Sequence, residues 1–309
     1  MNLIKNIVNE IIYNLYIFRF LERDEAPKQT LALEYTFGRK TNQNLVKDVC
    51  HLWELGGGTM YTNLIETPLV ATQLPHTAVV IVIDLSKPEL IWSTVTSLIS
   101  SVREYVMAAV KTEQANKLNI GERLTRESGA RIDSDHMDAS TIKTFPIPLI
   151  ILGGMYDVFQ NFDPEKKKII CRALRFIAHS HGATLQFYSA LDTGLVKKAR
   201  DLLSHFAFDS TAAKGVSQDY NKPLIIPAGS DSFQVGFPSA KFDPALKILG
   251  HYWYFLTVIF FALQAILGGG ETVKMEVMKH QFSTHFPQQE TETLTMSEDP
   301  AKDPNFRVG

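Results

Sequence analysis

Three short, unbroken apolar runs constrain this chain more than any other feature: TAVVIVIDL from Thr77, PIPLIILGG from Pro146 and ATLQFYSA from Ala183. A strand with one wet face alternates apolar and polar residues, whereas a run that stays apolar is covered on both sides. Such strands belong to a parallel sheet enclosed between helices. Residues Pro88–Val110 lie between the first two runs and place Val95, Leu98, Ile99, Val102, Val106 and Ala109 at three-and-four spacing, which predicts a helix. Between the second and third runs, Asp163 can cap, Pro164 suits the first helical turn, and Gly182 can take the left-handed conformation that stops the helix. Its buried stripe is Ile170, Leu174, Ile177 and Ala178.

Upstream, TLALEYTFGR (Thr30–Arg39) and VCHLWEL (Val49–Leu55) are extended stretches joined by a polar segment, the pattern of an antiparallel hairpin at the sheet edge. Downstream, a helix is expected around Leu195 to Phe206, and NKPLIIPAGSDSF then reads as an ordered, irregular return. The fold class expected is therefore α/β, with a mostly parallel sheet and flanking helices.

Bulk properties narrow the function. A net charge of -2 offers no field to neutralise a phosphate backbone, so no nucleic-acid partner is expected. Cys50 and Cys171 are the only cysteines and stand in no metal-ligand spacing, which argues against a disulfide framework and a zinc site. Both read as buried, inert thiols. His179 and His181 share a predicted helix, but no HExxH or triad spacing is present, so neither a metal nor a catalytic residue is expected.

Two segments stand apart. The N-terminal apolar residues Leu3, Ile4, Ile7, Val8, Ile11, Ile12 and Leu15 fall at helical spacing, which predicts an amphipathic helix. The run from Ile248 to Leu267 has no Asp, Glu, Lys or Arg and about the 20-residue length of a membrane span. His251 and Gln264 interrupt it and the domain before it has a cytosolic character, so a buried helix or insertion is favoured over a membrane anchor. From His285 the chain turns polar and is expected to be disordered.

A hairpin followed by alternating strands and helices is the layout of Ras-like P-loop domains, and most of their functional loops have counterparts here. WELGGGT carries Glu54 where such domains place an aspartate for magnesium, and Gly56, Gly57 and Gly58 would let backbone approach an anion. A tight turn explains the same glycines. GGMYDVF keeps Asp157 of the guanine-reading loop but has Gly154 and Met155 for its Asn and Lys. Ser189, in YSA, matches the last base-facing loop, and Thr30 the switch threonine. The phosphate loop itself, G-x-x-x-x-G-K-[ST], is absent: no glycine occurs before Gly38. No cofactor is expected.

Taken together, ERDEAPKQTLALEYTFGR, HLWELGGGT, VIVIDLSKPELIW, PIPLIILGGMYDVFQNF, KKIICRALRFIAHSHGATL and NKPLIIPAGSDSF resemble the light intermediate chains of cytoplasmic dynein 2, in order, from about Leu21 to Pro238. That resemblance implies a non-catalytic subunit that binds and stabilises the motor's heavy chain within the dynein 2 complex, touches microtubules only indirectly, and serves retrograde intraflagellar transport and cilium assembly. It also implies residence in the cytoplasm and the cilium, at axoneme and basal body. Against the family pattern, the first strand and P-loop look missing. The expected divisions are an N-terminal helix over 1–20 in their place, a Ras-like domain over 21–247, an inserted apolar segment over 248–270, and a helix remnant with a disordered tail over 271–309. Two other readings stay open: a GTP-binding switch, from Glu54, the triple glycine and Asp157, and a membrane-anchored Ras-like adaptor, from 248–267.

Overall fold

A computed structural model describes residues 2–7, 30–41, 47–114, 119–211, 215–233 and 270–287. Its strands are β1 (Asn2–Ile7), β2 (Leu33–Thr41), β3 (Lys47–Leu55), β4 (Thr77–Asp84), β5 (Leu149–Gly154), β6 (Thr184–Phe187) and β7 (Ile225–Ile226). Its helices are α1 (Pro88–Gln114), α2 (Ile120–Gly129), the single turn α3 (Tyr156–Phe159), α4 (Pro164–Ser180), α5 (Thr193–Phe208) and α6 (Gly270–His285). The strands form one seven-stranded sheet in the order β2-β3-β1-β4-β5-β6-β7. β3, β1, β4, β5 and β6 run parallel, while β2 and β7 close the two edges antiparallel.

The continuous apolar runs behave as two-faced strands. All eight residues of β4 and all six of β5 are buried. Val79, Ile81 and Ile83 of β4 face the larger core, which α1, α2, α4 and α6 cover. Ala78, Val80 and Val82 face a smaller core with Cys50, Leu52 and the α5 residues Val196, Ala199 and Leu203. In α1 the predicted stripe of Val95, Leu98, Ile99, Val102 and Val106 is buried, each side chain contributing roughly 1.5–3 kcal/mol.

Helix ends follow their sequence signals. Asp163 accepts the Glu165 amide at 2.9 Å with Pro164 behind it, and Gly182 takes φ +57° beyond the end of α4. Asp192 accepts the Gly194 and Leu195 amides at 2.8 and 3.0 Å at the start of α5.

The N-terminus departs from expectation. Asn2–Ile7 is a strand, not a helix, and it lies between β3 and β4, with Asn2 opposite both His51 and Thr77. The first strand is therefore present, and the domain includes residues ahead of Leu21. The physical reason is the sheet: without β1, β3 and β4 would each leave a row of buried backbone donors and acceptors unpaired. Val8 to Phe20, the rest of the predicted helix, lies outside the described residues, as do the apolar run at 248–267 and the tail beyond residue 287. Among the described residues no helix is long and apolar enough to cross a membrane.

Candidate functional site

In open parallel sheets, ligands settle in the crevice beyond the carboxyl ends of the strands. Here the ends of β3, β4, β5 and β6 bring the sequence-predicted residues to that one rim. They meet there in pairs.

The first pair is Thr30 and Glu54. Thr30 precedes β2, Glu54 is the penultimate residue of β3, and Thr30 Oγ1 donates to Glu54 Oε1 at 3.0 Å. Both are buried, at 3% and 5% exposure. The glycines after β3 make this approach possible. A Cβ on Gly56 would lie 1.9 Å from the Thr30 carbonyl oxygen, and the Gly56 amide donates to the Ala32 carbonyl at 2.8 Å. Gly57 and Gly58 turn the chain at φ +72° and +61°, where side chains are disfavoured. The Gly56 amide is thus already spent on the backbone of the incoming strand.

The second pair is Asp157 and Ser189. Met155, in the left-handed region at φ 60°, turns the chain out of β5 into α3, which carries Asp157. Ser189 Oγ donates to Asp157 Oδ1 at 2.7 Å and accepts the Leu191 amide at 3.2 Å. The backbone locks the two loops together, since the Tyr188 amide donates to Gly153 at 2.7 Å and the Tyr156 amide to Tyr188 at 3.0 Å.

Asp84, which sequence reasoning passed over, also ends at this rim. It closes β4 and accepts both the Ser86 amide at 2.9 Å and the Ser86 hydroxyl at 2.6 Å. The acid ending an apolar run, followed two residues later by Ser, was the available signal.

The rim can hold itself shut; gripping a triphosphate requires more. In this architecture the phosphate loop follows the central strand, which is β1. No glycine stands between Ile7 and Gly38, so that stretch offers no glycine-rich amide cradle. At the base-reading loop, Gly154 and Met155 supply neither amide side chain nor cation. The thiols add no nucleophile: burial pushes Cys50 up to about 11 and Cys171 up to about 12.

The chain is similar to several known proteins. Residues 19–146 match the family model described as dynein light intermediate chain. The chain is 38% identical over 292 residues to cytoplasmic dynein 2 light intermediate chain 1 of Mus musculus, covering 94% of this chain and 77% of the mouse protein. The Danio rerio protein of the same name is 39% identical over 294 residues, covering 94% and 75%. The Homo sapiens protein is 38% identical over 293 residues, covering 94% and 77%. Among solved structures, the crystal structure of the dynein light intermediate chain's conserved domain superposes with a TM-score of 0.55 at 14% identity, over 75% of this chain and 82% of that one. At that identity the likeness concerns the fold.

Proposed function

The chain belongs to the dynein light intermediate chain family, in its cytoplasmic dynein 2 branch, and from that premise we propose that it works by binding and stabilising the motor's heavy chain, with no chemistry of its own. It is a light intermediate chain subunit of a cytoplasmic, cytoskeletal motor. Its service is retrograde intraflagellar transport and cilium assembly, carried out at the axoneme and basal body, and microtubules are reached only through the heavy chain.

The observation that carries this reading is the 38% identity to the mouse dynein 2 subunit across 94% of the chain. The rim supports it in kind. Thr30, Glu54, Gly56, Gly57, Asp157 and Ser189 act as closures of an old nucleotide crevice and hold no cofactor. A working GTPase would need a phosphate loop after the central strand, and no glycine occurs before Gly38 to build one; Glu54 and Asp157 each accept a hydrogen bond from a neighbouring hydroxyl. The run behind the membrane-anchored adaptor, 248–267, lies outside the described residues.

Affinity purification of the tagged full chain from ciliated cells tests the proposal. Recovery of the dynein 2 heavy chain in near-stoichiometric amount is expected. Purification without any dynein heavy chain would contradict it.

A further inference from the structure

A second cluster lies away from the rim, where the chain between α2 and β5 passes the C-terminal end of α4. His136 and Asp138 come from that passage and His179 from α4. One ligand atom from each lies within 4.8 Å of the other two. Sequence spacing gave no sign of it, because 41 residues separate Asp138 from His179.

We propose that His136, Asp138 and His179 bind one divalent transition-metal ion of the zinc class, with a fourth position left to water, as a clamp joining this passage to α4. Two imidazoles and a carboxylate are a donor set suited to such an ion. His179 Nε2 stands 3.0 Å from Asp138 Oδ2. Donors around a tetrahedral zinc at roughly 2.0–2.2 Å sit about 3.3 Å apart, so a few tenths of an ångström separates this pair from a ligating pair.

The surroundings are those of a ligand shell. His136 Nε2 is 2.8 Å from the Asp231 carbonyl oxygen, so the ring proton belongs there and Nδ1 carries the lone pair. A ligating histidine anchored through its other nitrogen to a carbonyl has its tautomer and orientation fixed. Asp231 is fixed in turn by a buried two-point ion pair, with Arg175 Nε and Nη2 donating at 2.8 and 2.6 Å. The Phe233 amide donates to Asp138 Oδ2 at 2.9 Å and holds that carboxylate in place. His136 Nδ1 accepts the Asp138 amide at 3.1 Å, a contact that the ion displaces.

His179 is only 3% exposed, so its ring lies out of water with Nε2 turned to Asp138.

The test uses the purified full chain, stripped with a chelator and titrated with Co2+ as a spectroscopic probe, then with Zn2+. One equivalent of cobalt is expected to bind at micromolar or tighter affinity, with a visible d–d band of tetrahedral intensity that zinc abolishes. The band should vanish in His136→Ala, whose side chain is half-buried. In Asp138→Asn, which keeps the shape and the Phe233 contact, affinity should fall at least tenfold. The second variant carries the test if the first does not fold. No band in the native chain, or a band unchanged in the variant that folds, overturns the proposal and leaves a histidine–carboxylate hydrogen bond.

Discussion

A hydroxyl set against a carboxylate occurs twice on the rim, and at each place it uses a residue that a nucleotide switch would need. Thr30→Val withdraws a donor from the buried Glu54 carboxylate and should cost about 1–2 kcal/mol in urea unfolding. Gly56→Ala should cost more, about 2–4 kcal/mol or the fold itself, because the added methyl meets the Thr30 carbonyl rather than a movable side chain. Both cysteines should resist a thiol reagent at pH 8 in the native chain and react once denaturant exposes them, since burial holds each thiol protonated well above that pH. The loops bearing Thr30, Glu54, Asp157 and Ser189 were legible in the sequence. Their pairing was not, because the partners are 24 and 32 residues apart and the contact exists only once the strands align.

At the scale of elements, the unbroken apolar runs and the helical stripe of α1 translated directly into structure, since burial on two faces and burial on one leave different periodicities. β1 did not. Leu3, Ile4 and Ile7 satisfy a helical spacing as well as a strand, and a six-residue segment is too short for periodicity to decide. What decides is the pair of open edges on β3 and β4, a tertiary fact with no local signature. α6 is held by tertiary packing as well. It packs through Met278, Phe282 and Phe286, with the Phe282 ring 5.9 Å from Trp92 of α1. Phe282→Ala should cost about 3–5 kcal/mol and release amide protection in α6 before the sheet opens, as hydrogen exchange would record.

Across the whole molecule, the strand order and the placement of acids at the carboxyl ends preserve the plan of a nucleotide switch, while the stretch after β1 lacks the glycines that plan depends on. A scaffold of that kind retains its outer helices and a large core, which suits it to holding a partner. The most direct measurement is titration calorimetry of GTP with magnesium into the purified full chain. The account predicts no binding heat at micromolar protein. Saturable binding with a micromolar or tighter dissociation constant would contradict it.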